Sequence, residues 1–178
     1  SKSGYAVLLV EHRFDVIKPY IDKVMTIENK GVRLSEEISD TVVKTLPPVQ
    51  GREIGEVLIR LKRLSFSAGK RTILDGIDFE VKKGERTVIL GDNGCGKTTI
   101  CNIIRGLIPS FHGGEVEGSV EIFGKSTKEI SEEEKAKRIG FVFQNPFTQN
   151  SGIKETVFEE IAFGLENMGV DREEIITK

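Results

Sequence analysis

Apolar residues in this chain fall into short runs broken by glycine and by charged or proline-containing stretches, and the period inside each run assigns the elements. Residues 6–10 (AVLLV) form a continuous apolar run of strand length, and a second strand-like run covers 23–27, with a short amphipathic piece through Tyr20 between them. Asn29, Lys30 and Gly31 read as a turn. Residues 35–53 are polar, acidic and interrupted by Pro47, Pro48 and Gly51, which predicts a linker. A new unit begins near Ile54. Residues 57–67 alternate as a strand, apolar at Ile59 and Leu61 and then at Leu64 and Phe66, so the parity changes near Arg63 and a β-bulge is expected there.

Further strands are predicted at 77–81, 86–90, 118–123 and 139–143, with helices at 98–105 and 131–138. Ser131 followed by Glu134, and Thr156 followed by Glu159, have the spacing of capping boxes. The second opens a helix whose apolar positions Val157, Ile161, Leu165 and Met168 recur at helical spacing before Gly169, and Asp171 begins a further helix. Alternating strands and helices of this kind predict an α/β fold.

Length and charge then narrow the class. A chain of 178 residues holds one domain, or one domain with a fragment of another. Thirty per cent charged residues with a net charge of −2 leave no positive excess, so nucleic acid is not an expected partner. No apolar run reaches the roughly 20 residues of a membrane span, and the first residues lack the apolar core of a signal peptide. The two cysteines, Cys95 and Cys101, match neither a disulfide framework nor a metal-ligand spacing, which points to a reducing, cytoplasmic setting.

The candidate chemistry lies in Gly91, Asp92, Asn93, Gly94, Cys95, Gly96, Lys97, Thr98 and Thr99, which satisfy the phosphate-binding pattern G-x-x-x-x-G-K-[ST] between a predicted strand and a predicted helix. Three glycines let the backbone curl so that successive N–H groups point at phosphate oxygens, aided by the positive end of the helix dipole. Lys97 is expected to reach the β- and γ-phosphates. The Thr98 hydroxyl is expected on Mg²⁺, a hard cation that takes oxygen ligands and keeps several waters. The alternative is a glycine-rich turn capping an ordinary helix. Cys95 sits inside the loop at a helix N-terminus, so oxidation or alkylation there is expected to block nucleotide binding.

From about Val57 to Asp171 the chain resembles the first half of an ATP-binding-cassette (ABC) ATPase, the motor subunit of ABC transporters. The resemblance rests on Val81-Lys82-Lys83-Gly84-Glu85 leading into GDNGCGKTT, and on a strand ending in Gln144, 47 residues after Lys97. It implies a partial P-loop NTPase core with an antiparallel β subdomain and the start of a helical subdomain, ATP and Mg²⁺ as ligands, and Gln144 as a sensor of Mg²⁺ and the attacking water. FQNP, Gln149 and TVFEEIAFGLENMGV are similar to the cobalt-type and energy-coupling-factor branch, in which this region docks a coupling helix of the membrane subunit.

The run LLVEHRFDVIKPYIDKVMTIENKG resembles instead the far C-terminal part of the same family, where a strand ends in a histidine that senses the γ-phosphate; here that residue is His12. The order along the chain is then the end of one cassette (1–34), a linker (35–55) and the first half of a second cassette (56–178), as at the middle of a tandem protein. Because the family places the histidine strand beside the phosphate-loop strand, residues 6–10 are expected to pair with 87–90 within this chain and to bring His12 toward Lys97. The LSGGQ-type signature and the acidic strand end with the catalytic glutamate have no counterpart here, so the chain alone is expected to turn over slowly or not at all. Ala68 stands where the family usually has an adenine-stacking aromatic. The implied partners are ATP, a second cassette and ABC-type transmembrane subunits, at the inner face of the cell membrane, with unpaired strand edges favouring a dimer or swapped assembly. Alternatives are a nucleotide-binding module or remnant without turnover, and a soluble ABC ATPase acting on translation or DNA.

Overall fold

The computed structural model describes residues 5–10, 17–35, 54–110, 112–143 and 145–177. They divide into two compact units, residues 1–131 and 132–178. Among the described residues, the first contains two four-stranded sheets, one α-helix and a 3₁₀ turn at Lys18–Tyr20. Strands β1 (Val7–Val10), β2 (Lys23–Glu28), β3 (Gly31–Ser35) and β6 (Arg86–Gly91) form one sheet in the order β1-β6-β2-β3. Strands β4 (Val57–Ala68), β5 (Arg71–Lys82), β7 (Glu115–Ile122) and β8 (Lys125–Ser126) form the other, in the order β5-β4-β7-β8 and antiparallel throughout. This is a partial P-loop-type α/β core with an antiparallel β subdomain.

β6 is parallel to both its neighbours. It pairs with β1 in the register Val7↔Arg86 to Val10↔Ile89, and with β2 in the register Lys23↔Thr87 to Ile27↔Gly91. The expected pairing of the first apolar run with the phosphate-loop strand is therefore present within one chain, and a second early strand closes the other side of β6. β2 turns into β3 through Asn29 and Lys30, both at positive φ, as a two-residue hairpin turn requires. Val88 and Ile89 at the centre of β6 are fully buried, as are Met25 and Ile27 of β2, which is why both strands carry mainly apolar centres.

In the second sheet, Arg63 is the expected bulge. Its φ is +46°, its N–H bonds the Asp78 carboxylate, and the register of β4 against both neighbours shifts around it. The extra residue lets Leu61 and Leu64, three apart, point to one side, and both are buried. Gly118 on the facing strand lies directly beneath the Lys62 and Arg63 carbonyls, where a Cβ would clash with backbone. On the solvent side, Arg60 bridges Glu80 and Glu121, and Lys62 also reaches Glu121. Those two cations hold the Glu121 carboxyl below its ordinary range, Lys62 contributing first.

The second unit carries helices α2 (Glu132–Arg138), α3 (Val157–Asn167) and α4 (Arg172–Thr177), together with a 3₁₀ turn at Pro146–Gln149. The Thr156–Glu159 capping box is complete: the Thr156 side chain accepts from the Glu159 N–H and the Glu159 carboxylate accepts from the Thr156 N–H. One expectation fails. Residues 139–143 do not form a strand, and they pair with no strand among the described residues. Instead the Gln149 side-chain amide accepts from the Phe143 N–H and donates to the Phe141 carbonyl, standing in for the peptide of a neighbouring strand. Most of the sequence assigned to the linker, 36–53, lies outside the described residues.

Candidate phosphate-binding loop

β6 ends in Gly91, and helix α1 (Lys97–Arg105) begins six residues later. The helix forms because Ile100, Ile103 and Ile104 recur on one buried face, and it stops at Gly106, whose φ of +88° lets its N–H cap the last turn. Between strand and helix the glycines do specific work. Gly91 has a φ of +145°, and a Cβ there would stand 2.7 Å from the Ile27 carbonyl of β2 and 2.7 Å from the Cys95 sulfur. Gly96 has a φ of +109°, and a Cβ would press into the Leu74 side chain of β5. The loop is thus seated on β2 at its start and on β5 at its end, with backbone conformations that side chains do not adopt.

Gly96 is also the N-cap, so no side chain closes the first turn of α1. Asp92, Asn93, Gly94 and Thr98 are exposed, while Cys95 and Thr99 are half-buried. Lys97 is the exception: it is 6% exposed although charged. Its ammonium donates to the Gly91 and Asp92 carbonyls, each at 2.8 Å, and lies 3.9 Å from the Cys95 sulfur. Burying an ammonium is costly unless its protons are bonded, and the curled loop meets that requirement with its own backbone. A cation held over exposed backbone at the start of an uncapped helix suits an anionic ligand bearing several oxygens. For Cys101, one turn along α1, burial pushes the thiol up to about 11, so it stays protonated at neutral pH.

The family model for ABC transporters matches residues 74–178, more than half of the chain, and takes in the loop and everything after it. The chain belongs to the ABC transporter family. A putative ABC transporter ATP-binding protein of Pyrococcus abyssi is 45% identical over 120 residues, 66% of this chain and 42% of the relative. The energy-coupling factor transporter ATP-binding protein EcfA1 of Fusobacterium nucleatum is 40% identical over 119 residues, again 66% of this chain and 42% of the relative. A putative ABC transporter ATP-binding protein of Methanosarcina acetivorans is 36% identical over 126 residues, 70% of this chain but only 19% of the relative. The matched stretch thus spans about two fifths of some curated relatives and one fifth of others. A solved bacterial Atm1-family ABC exporter with ATP bound overlaps 70% of this chain at 19% identity and a TM-score of 0.40, too loose a likeness to inform its site.

Of the site residues named from sequence, Gly91 ends β6, residues 92–96 form the loop, and Lys97, Thr98 and Thr99 open α1. His12 and Gln144 lie outside the described residues. What the sequence did not single out is the support beneath the loop, Ile27 and Leu74. Their signal was only that of ordinary core positions. No helix among the described residues is long and apolar enough to cross a membrane.

Proposed function

We propose that the chain binds Mg²⁺–ATP through Gly91–Thr99 and is part of a transport ATPase that works through ABC-type membrane subunits. The single observation that carries this reading is the buried Lys97 ammonium, held by the loop that the family match covers. On nucleotide binding Lys97 would exchange those carbonyl partners for β- and γ-phosphate oxygens, the loop amides would take the remaining oxygens, and the exposed Thr98 hydroxyl would complete the ligand shell of Mg²⁺. Gln144 and His12 would orient the attacking water and sense the γ-phosphate.

The reading extends to a tandem protein in which 1–34 ends one cassette, 35–55 links, and 56–178 begins the next. The relatives support it by falling into two lengths, the same stretch being two fifths of some and one fifth of others. Import of a metal ion, vitamin or other small solute is favoured by the energy-coupling-factor relative, and a cytoplasmic position at the inner face of the membrane follows from such partners. A second reading, nucleotide binding without turnover, is favoured for the chain as it stands by the lack of a signature motif and of an acidic strand end among its 178 residues.

Calorimetric titration with Mg²⁺–ATP, with phosphate release followed on the same samples, tests both. Saturable binding that falls about ten- to a hundred-fold in Lys97→Ala, the size expected for lost hydrogen bonds to a charged group, supports the site. Phosphate release by the parent chain would overturn the second reading. Equal binding by parent and variant would overturn the first.

A further inference from the structure

Nothing in the phosphate-loop motif requires an upstream strand, yet the geometry places β2 beside the start of the loop. β2 runs beside β6 for five paired positions, and the last pair is Ile27↔Gly91, where the loop begins. The Ile27 carbonyl lies so close to Gly91 that no Cβ fits between them. Ile27 is itself fully buried. The first glycine of the loop is therefore seated on backbone supplied from 64 residues upstream.

The register of that seat is locked at the other end of the strand. The Arg86 N–H donates to the Asp22 carboxylate at 2.8 Å, the Asp22 N–H donates to the Arg86 carbonyl at 2.8 Å, and the Arg86 Nε lies 3.6 Å from the same carboxylate. Lys23 follows: its ammonium donates to the Glu80 carbonyl at 2.8 Å, lies 3.8 Å from the Glu85 carboxylate, and sits 5.2 Å over the Phe79 ring. A further bond, from the Asp75 N–H to the Lys30 carbonyl, ties the β2–β3 turn to β5. A slip of one residue would break every one of these and turn Met25 and Ile27 to the opposite face.

We propose that residues 22–30 are a positioning element for the phosphate loop, acting within the same chain, with Asp22 and Lys23 setting the register and Ile27 holding Gly91. Nucleotide affinity then depends on a segment whose own sequence carries no nucleotide motif. The proposal rests on the reading of Gly91–Thr99 as the ATP site, and goes beyond it by assigning the element that shapes that site. In a longer protein with two phosphate-loop strands, the segment would choose between them by the Asp22–Arg86 and Lys23–Glu85 contacts.

The test uses the full chain. Mg²⁺–ATP affinity is measured by calorimetry well below the unfolding temperature, with amide hydrogen exchange followed over 23–28 and 86–97, for the parent, Asp22→Ala/Lys23→Ala, Ile27→Val and the control Arg60→Ala. The double variant is expected to weaken binding about ten-fold and to speed exchange in 23–28 and in the loop together. Ile27→Val, which keeps the backbone and most of the packing, is expected to weaken binding about two- to three-fold, and Arg60→Ala not at all. Faster exchange in 23–28 with binding unchanged within two-fold would overturn the proposal, as would unaltered exchange and binding in the double variant. Equimolar mixing of Lys97→Ala with the double variant separates the two modes of supply: recovered binding would show that the strands come from a neighbouring chain and would overturn action within one chain. If the parent binds no nucleotide at all, the ATP-site reading itself falls and the proposal falls with it, an outcome distinct from parent binding that the variants leave intact.

Discussion

The two units of this chain treat apolar residues in opposite ways. In residues 1–131 the strands and α1 bury Met25, Ile27, Leu61, Leu64, Leu74, Val88 and Ile100 completely or nearly so. In residues 132–178 only Ala162 and Ile175 are buried apolar side chains among those described, while Phe147 is 83% exposed, Val157 79% and Ile161 73%. Both sets read alike as one-dimensional patterns, since Ile100, Ile103 and Ile104 and the series Val157, Ile161, Leu165 and Met168 all keep helical spacing. A period specifies that a helix has an apolar face. It does not specify what covers that face, and the first unit supplies its own cover whereas the second does not. Local order in the second unit comes instead from polar links: Glu160 accepts from the Ser151 N–H and hydroxyl, Lys154 pairs with Glu166 at 2.8 Å and lies 5.3 Å over the Phe163 ring, and Thr156 caps α3.

The contrast is sharpest under truncation of one apolar side chain in each unit. Ile100→Ala should cost about 2–5 kcal/mol in chemical denaturation, because its cavity lies in a closed core. Ile161→Ala should change stability by less than about 0.5 kcal/mol, as exposed positions do. Equal losses at the two sites would mean that the α3 face is covered in solution.

Alkylation separates two thiols of the first unit on the same helix and loop. At neutral pH, iodoacetamide should modify Cys95 first, because burial holds the Cys101 thiol up at about 11 and leaves little thiolate there. Peptide mapping against time checks the order, and titration of the singly modified chain should show Mg²⁺–ATP affinity reduced at least ten-fold, since an added group on Cys95 falls against Gly91 and Lys97. Modification of Cys101 first would contradict the desolvation that holds its thiol up.

Smaller effects belong to the polar links of the second unit. Thr156→Ala removes an N-cap and should cost about 1 kcal/mol of α3 stability, seen as faster amide exchange confined to the first turn of that helix. The pH dependence is smaller still. The Thr156 hydroxyl, and then its N–H, hold the Glu159 carboxyl below the ordinary carboxylate range. A carboxyl lowered in the folded state adds stability that is full above its unfolded value and is lost as pH falls through the folded one. Helical ellipticity should therefore hold from neutrality into mild acid and decline only in stronger acid, with Glu159→Gln reducing that decline and leaving the part due to Glu133, which Lys137 also holds low. A decline already present near neutrality would show that another group governs it.

Short-range features were legible because their physics is short-range. The phosphate loop needs glycine at positions set by its own curl, the Asn29–Lys30 turn needs residues tolerant of positive φ, and the Thr156–Glu159 box closes within four residues. The Arg63 bulge was visible as a change of parity. β3 was not, because Gly31–Ser35 is short, half polar and runs into the acidic stretch that reads as a linker. The expected strand at 139–143 failed for the converse reason: its apolar residues have strand character, but a strand exists only where a neighbour accepts its hydrogen bonds, and here Gln149 takes that place.

By itself, then, the sequence determined most of the elements, the glycine-rich loop leading into Lys97 and the family, chiefly through residues close together along the chain. The pairing of residues 6–10 with β6 was already implied by the resemblance; tertiary structure alone decided that β2 takes the other side of β6, that Ile27 seats Gly91, that the Lys97 charge is buried on its own loop carbonyls, and that the α3 face stays open. Parallel neighbours are joined by hydrogen bonds between residues 64 apart for β2 and 79 apart for β1, so their register is fixed only when distant backbone and side chains meet and bury one another.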